Sequence, residues 1–150
     1  MAAVNARDLE RELDDFLSPE DVRVVDVTIC GGGGRTILRV SIDRTGGVTV
    51  GDCASVSRLL SDWLEEHDPF PVKYVLEVSS PGIGRLLKRK RDYEVFTGRR
   101  VMVTLNENDG ETSTISGILN GLELDEIVLT GTAGEQHRVS LALVAKAALE

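Results

Sequence analysis

The chain has 150 residues, of which 41% are hydrophobic, 28% are charged and only 4% are aromatic. This composition excludes a disordered chain and requires cores built mainly from aliphatic side chains. The length fits one ordinary domain or two small ones with thin cores. A formal net charge of −8 disfavours nonspecific wrapping by nucleic acid and suits a strongly basic protein partner.

Signals for membrane insertion and for export are not apparent in the sequence. No run of about 18 apolar residues occurs, so no membrane-spanning helix is expected. Residues 1–7 lack the charged lead and apolar segment of a secretory signal. The two cysteines, Cys30 and Cys53, lie far apart, which favours reduced thiols in a cytoplasmic protein over a disulfide.

The first predicted element is a helix over residues 5–17. Its apolar side chains fall at helical spacing and form one stripe, and the opposite face is acidic. Asn5 can cap the start of the helix, and Ser18-Pro19 ends it. The acidic face is interpreted as a solvated surface.

Two strands are predicted next, over residues 22–30 and 36–44, because both segments are rich in β-branched side chains. Four glycines at 31–34 join them. Glycines near a strand can form a phosphate-binding loop, but such a loop leads into a helix. Since this segment leads into a strand, a hairpin turn is the favoured interpretation.

A second helix and a third strand complete this half of the chain. Thr49 can cap the helix, and Asp52 three positions later completes a variant of the capping box. Apolar spacing carries the helix to about Glu66. A proline-containing connector at 68–71 then leads into a strand over residues 74–79. The order helix-strand-strand-helix-strand predicts a two-layer α/β sandwich with the helices on one face.

The third strand ends in a segment of turn-forming residues. Proline removes a backbone donor and glycine admits positive φ, so the strand cannot continue through them. We predict that this segment is the junction, or hinge, between two domains. It comprises Ser79, Ser80, Pro81, Gly82 and Gly84.

A basic stretch follows the junction directly. Residues 85–100 hold seven basic and two acidic residues, a local charge of +5 that leaves −13 for the rest of the chain. Because salt screens charges beyond about 8 Å, a partner responds to this local charge more than to the total. We predict contact with RNA phosphates or an acidic partner. The predicted contact residues are Arg85, Lys88, Arg89, Lys90, Arg91, Arg99 and Arg100.

The end of the basic stretch, residues 92–98, predicts one or two helical turns stopped by a glycine. Tyr93 and Phe96 have helical spacing within it. We assign both rings to packing at the junction rather than to stacking on bases.

After Gly98 the pattern changes to short strands separated by tight turns. This pattern predicts a small antiparallel barrel, so that the chain belongs to the α+β class with an α/β domain at 1–84 and a barrel at 85–150. The predicted strands are 101–106, 112–119, 122–124, 127–130 and 137–141, with turns at 108–110, 120–121 and 131–134. Residues 143–149 are expected to add a final turn and an edge strand.

No catalytic or metal-binding set is expected. His67 and His137 lack ligands at metal-binding spacing. Ser79 and Ser80 lack a nucleophile elbow and a base, and Cys53 lies on the apolar stripe of the second helix, where packing is the favoured role. We therefore expect no metal, no cofactor and no enzymatic activity. A hydrolase using Ser80 or Cys53 is the weakest hypothesis, since no base or oxyanion element accompanies either residue.

One ordered string of residues resembles the signature of the RimP family of bacterial ribosome maturation factors. It comprises Leu76-Glu77-Val78-Ser79-Ser80-Pro81-Gly82-Ile83, then Arg85, Leu87, Asp92-Tyr93-Glu94, Phe96 and Gly98, with Ile42-Asp43, Gly47-Val48-Thr49 and Asp52-Cys53 upstream. The similarity covers most of residues 5–105 and fades in the last third. Two positions depart from the pattern, because the family usually has an acidic residue at Gly84 and proline at Leu86.

The resemblance implies an α/β domain joined to an SH3/Sm-like barrel. It also implies a noncatalytic assembly factor that binds the immature small (30S) ribosomal subunit, through 16S ribosomal RNA and a basic ribosomal protein near the decoding region. We expect a cytoplasmic monomer without a cofactor. A general RNA-binding Sm-like module is the alternative, but such proteins act as closed rings, and the acidic balance and extra α/β half disfavour it.

Overall fold

The residues described by this computed structural model are 5–32, 35–70, 73–82, 84–107 and 110–150. They form two compact units, the first unit (Met1–Pro81) and the second unit (Gly82–Glu150). Helices and sheets occur together, so the α+β class predicted from the sequence is confirmed. The predicted domain limits, 1–84 and 85–150, stay a prediction.

The described part of the first unit follows the predicted order of elements. It consists of α1 (Ala6–Leu17), a 3₁₀ turn (Ser18–Glu20), β1 (Arg23–Gly32), β2 (Arg35–Asp43), α2 (Val50–His67) and β3 (Tyr74–Ser79).

Both helices of the first unit begin directly after the residues whose side chains were predicted to cap them. The Asn5 side-chain oxygen accepts hydrogen bonds from the backbone N–H groups of Arg7 (2.8 Å) and Asp8 (3.3 Å). At the start of α2, the Thr49 hydroxyl accepts from the Asp52 N–H at 3.0 Å, and the Asp52 carboxylate accepts from the Thr49 N–H at 2.8 Å. This reciprocal pair satisfies two N–H groups that the first helical turn leaves without partners.

The three strands form a mixed sheet in the order β1-β2-β3. The hairpin partners β1 and β2 are antiparallel, whereas α2 carries the chain back so that β3 runs parallel to β2. On β2, Leu38, Val40 and Ile42 are fully buried, while Arg39 is exposed and pairs with Glu77 of β3 at 2.8 Å. The buried face shares one apolar cluster with both helices.

The glycine segment lengthens the hairpin. Gly31 pairs with Thr36 and Gly32 with Arg35, so β1 runs two residues beyond its predicted end and the hairpin interpretation is confirmed. Gly31 has φ of +131°, and a Cβ there would lie 1.9 Å from the Arg35 carbonyl oxygen. Only glycine fits this close approach.

The described part of the second unit has one helix and a five-stranded antiparallel sheet, ordered β7-β6-β5-β4-β8. Its elements are α3 (Lys90–Val95), β4 (Arg100–Asn106), β5 (Thr112–Glu123), β6 (Glu126–Thr130), β7 (Gln136–Ser140), a 3₁₀ turn (Leu141–Leu143) and β8 (Val144–Leu149). Several residues of predicted turns and connectors lie outside the described residues, namely Gly33, Gly34, Pro71, Ile83, Asn108 and Asp109.

The predicted turn at Asn120-Gly121 is wrong. The two strands expected around it are one strand, β5, whose pairing with β6 shifts register between Leu119 and Gly121. Gly121 has φ of +123° at this bulge, and the chain turns later, at Leu124 and Asp125, which also have positive φ. A bulge and a turn both favour glycine at positive φ, so residue type alone did not separate them.

The second unit has its own aliphatic and aromatic core. Phe96, Leu119, Ile127 and Leu129 are all fully buried. The described ladders do not join β7 to β8, the two edge strands of the sheet. Closure into an SH3/Sm-like barrel therefore stays a prediction.

Among the described residues, no helix has both the length and the apolar character needed to cross a membrane.

Candidate functional site

The basic stretch begins as an extended segment on the edge of the second unit's sheet. The Gly84 N–H donates to the Leu149 carbonyl at 3.1 Å, and the Leu149 N–H donates to the Arg85 carbonyl at 2.8 Å. The Leu87 N–H donates to the Ala147 carbonyl at 2.9 Å. Residues 84–87 therefore lie antiparallel along β8, and we call them the edge segment. It fixes where the cationic side chains that follow can lie.

A buried carboxylate fixes the turn from the edge segment into α3. Asp92 is 1% exposed, and one of its oxygens accepts hydrogen bonds from the backbone N–H groups of Lys88 (2.9 Å) and Arg89 (3.0 Å). The helix consequently begins at Lys90, two residues before the start predicted from the sequence. An acidic side chain at the third helical position suits the positive end of the helix dipole.

The predicted contact residues differ in how carboxylates surround them. Lys90 pairs with Asp125 at 2.8 Å, and Arg100 pairs with Glu150 at 2.8 Å. Arg89 lies 3.9 Å from Asp92. The Lys90 and Arg100 pairs are exposed and contribute little stability, so they leave these two cations able to exchange partners.

Two depressions on the second unit contain part of the basic stretch. The first, of about 450 Å³, is lined by three lysines, Lys88, Lys90 and Lys146, together with Leu87, Tyr93 and aliphatic residues of the C-terminal segment. We call it the lysine depression. The second, of about 540 Å³, is lined by Lys90, Arg91, Glu94, Thr97, Asn120, Gly121 and Leu122. Four of the predicted contact residues, Arg85, Arg89, Arg99 and Arg100, line neither of these two depressions.

Sequence reasoning missed Lys146, which lies 55 positions after Arg91 and outside every basic run. Its place is set by the pairing of β8 with β4 and with the edge segment. Lys146 could have been assigned to this depression only by predicting the strand register correctly, and register depends on tertiary contacts.

The two aromatic rings of the basic stretch are buried. Tyr93 is 3% exposed and Phe96 is fully buried, so neither ring is available to stack on a base. Burial, and to a lesser degree the neighbouring Asp92, raises the pKa of the Tyr93 hydroxyl above its ordinary value. Neither ring is therefore a candidate for contact with a partner at this surface.

The predicted junction residues are Ser79, Ser80 and Pro81 in the first unit, and Gly82 and Gly84 in the second. The Gly82 carbonyl accepts a hydrogen bond from the Arg85 N–H at 3.2 Å. Gly84 adopts φ of +80°, a conformation that most residues with a side chain avoid. Hinge motion here stays a prediction.

Two of the residues weighed as nucleophiles or metal ligands, Cys53 and His67, are held in structural contacts. Cys53 packs against the core of the first unit, and burial, followed by the charge of Asp52, raises the pKa of its thiol, which lowers the thiolate fraction. The His67 ring stacks on Trp63 with centroids 3.9 Å apart. In the part of the chain that the structure describes, no three His, Cys, Asp or Glu side chains are grouped to hold a metal.

Comparison with known families gives a match over most of the first unit. Residues 12–84 match the RimP N-terminal domain. The chain belongs to the RimP family. This family is one of ribosome maturation factors, so the resemblance carried by the junction string is confirmed at the level of the family. The matched residues of this RimP protein run from α1 through β3 and the junction, and end just before the basic stretch.

Proposed function

We propose that this RimP protein is a noncatalytic maturation factor of the small (30S) ribosomal subunit. It binds immature subunits transiently, contacts 16S ribosomal RNA, and helps to place a basic ribosomal protein near the decoding region. It acts as a cytoplasmic monomer without a cofactor. The observation that carries the proposal is the match of residues 12–84 to the RimP N-terminal domain.

The distribution of charge supports a division of labour between the units. The first unit has fifteen acidic and eight basic residues, which give a net charge of −7. The second unit has ten acidic and nine basic residues, which give a net charge of −1. The second unit also contains the whole basic stretch. An acidic surface attracts a basic protein and repels RNA, while a local cationic surface does the reverse. The first unit therefore receives the ribosomal protein and the second contacts RNA.

The proposal is tested by co-sedimentation of the full chain with immature and mature small subunits at several salt concentrations. Preferential binding to immature particles is the expected result. Equal binding to both particles, or no binding to either, would overturn it. A second arm measures binding of the full chain to isolated basic small-subunit proteins, where a lack of affinity would remove the protein-placement role.

A general RNA-binding Sm-like module is the second candidate, favoured by the five-stranded antiparallel sheet of the second unit. Proteins of that kind act as closed rings built on one repeated interface. Light scattering separates the two: a monomer agrees with a maturation factor, and a particle of ring size favours the alternative.

A further inference from the structure

The lysine depression gathers most of the lysines of the chain. The sequence contains only four lysines, and three of them, Lys88, Lys90 and Lys146, line this one depression. The fourth, Lys73, belongs to the first unit. Two of the three come from the basic stretch and one from β8, so the fold rather than the sequence brings them together.

Strand pairing brings two of these lysines to the same depression. Leu86 bridges to Ala148 in antiparallel register, and the Leu87 N–H donates to the Ala147 carbonyl. Lys88 follows Leu87 in the chain and Lys146 precedes Ala147, and both lysines line the depression. Like charges that share one surface repel each other. A bound anion would remove this repulsion.

Within the described residues, carboxylates do not neutralise the repulsion between these lysines. Neither Lys88 nor Lys146 has an ion pair there, and both side chains are exposed. Lys90 has one partner, Asp125, but the two side chains are 71% and 70% exposed. A pair so exposed to water is weak and opens readily to a competing anion.

The chemistry of the depression favours phosphate groups over nucleobases. Lysine is a compact point charge with three donors that contacts phosphate oxygens without base specificity. The lining between the lysines is aliphatic, with Tyr93 buried and hydrogen-bonded toward the Leu87 carbonyl, so no exposed aromatic face is offered for stacking.

We propose that the lysine depression binds the phosphate backbone of RNA, with Lys146 as a contact residue alongside Lys88 and Lys90. This inference rests on the proposed function and narrows it, because it assigns RNA contact to three lysines. The arginines that line neither depression, Arg85, Arg89, Arg99 and Arg100, are not required for it.

If the depression binds phosphate, the Asp125 carboxylate competes with the phosphate for Lys90. It lies at positive φ (64°) in the turn between β5 and β6, a conformation that asparagine also tolerates. Asp125→Asn therefore keeps the turn and removes the competing charge. A site for anions should bind more tightly in this variant, which a merely structural role of Lys90 would not predict.

The test is the affinity of the full chain for a short fluorescently labelled RNA duplex of arbitrary sequence, measured across a salt series. Each lost phosphate contact should reduce the slope of log affinity against log salt by about 0.9, which at 0.1 M salt is up to about eightfold in affinity. We expect this loss for Lys146→Gln, a larger loss for the triple variant Lys88→Gln, Lys90→Gln and Lys146→Gln, and a gain for Asp125→Asn.

Lys73→Gln is the matched control, since it removes the same charge from the other unit and should leave RNA affinity nearly unchanged. Circular dichroism and thermal melting check that each variant is folded. The single variant Lys146→Gln and the gain-of-binding variant Asp125→Asn keep the test decisive if the triple variant does not fold.

Unchanged RNA affinity in Lys146→Gln, or no gain in Asp125→Asn, would overturn the inference. So would lysine-dependent binding of polyglutamate when the RNA duplex does not bind, because the site would then take acidic peptides. Co-sedimentation of the same variants with immature subunits separates the two proposals. If the wild-type chain binds immature particles but the lysine variants bind RNA normally, the inference fails and the proposed function stands.

Discussion

Both units have a small core in a chain with few aromatic residues, but they build that core from different elements. The first unit buries the stripes of two long helices against one face of a three-stranded sheet. The second has one helix of six residues and relies on five antiparallel strands. Short helices are marginal without tertiary support. The cationic surface is therefore built on strand register and one buried cap, whereas the first unit rests on helix packing.

The helix caps make the same contrast on a smaller scale. Asp52 in α2 and Asp92 in α3 both stand at the third helical position and accept backbone hydrogen bonds. The Asp52 side chain is 27% exposed, but that of Asp92 is only 2% exposed. Loss of the exposed carboxylate leaves water to replace it, and loss of the buried one leaves buried donors without a partner.

The largest expected effects come from cavities made in each core. Leu60→Ala in α2 and Leu129→Ala in β6 both truncate fully buried side chains and should each cost about 2–5 kcal/mol. Trp63, the single tryptophan, reports on the first unit, so its fluorescence transition should shift in Leu60→Ala. If Leu129→Ala shifts the Trp63 transition equally, the two units unfold together and the contrast between them fails.

A somewhat smaller effect is expected from Asp92→Ala. Removing this carboxylate leaves the Lys88 and Arg89 N–H groups without their acceptor, and should cost about 2–3 kcal/mol by comparison with other charge-assisted hydrogen bonds. Chemical denaturation monitored by circular dichroism measures the loss. Glu111→Ala, which removes an exposed carboxylate of the same unit, is the control and should change stability little. An equal loss in both variants would contradict the role of Asp92 as a buried cap.

Asp52→Ala should destabilise the first unit by less than Asp92→Ala destabilises the second. The Thr49 backbone N–H, the Thr49 hydroxyl and the nearby Arg44 hold the pKa of the Asp52 carboxyl below its ordinary 3.8. A lowered folded-state pKa means that its contribution is full above pH 3.8 and is lost as the pH falls through the folded value. Melting temperatures of wild type and variant should therefore converge in acid. A constant difference down to the lowest pH would exclude this explanation.

The smallest expected effect is a difference in stability between alanine substitutions at two glycines of the junction. A Cβ at either Gly82 or Gly84 would meet no atom within 4 Å, but only Gly84 has positive φ. Gly84→Ala should cost about 1 kcal/mol in backbone strain, whereas Gly82→Ala should be neutral or slightly stabilising. Thermal melting of the two variants decides this. Equal melting temperatures would indicate that the junction does not hold Gly84 in this conformation.

Sequence reasoning was most successful where a signal is local. Asn5 and Thr49 mark helix starts with side chains that bond to backbone groups two or three residues away, and β3 has the predicted bounds, Tyr74–Ser79. It failed at Asn120-Gly121, where a bulge and a turn require the same residue type. It also placed the start of α3 two residues late, because the Asp92 cap reaches back to Lys88 rather than beginning the helix.

The sequence by itself determined the order of elements in the first unit, the basic stretch and the family resemblance, since periodicity, capping and charge are properties of neighbouring residues. Tertiary structure alone decided which cations meet. Lys146 lines the same depression as Lys88 because β8 pairs with the edge segment in one register. Such pairing depends on contacts between residues distant in the chain.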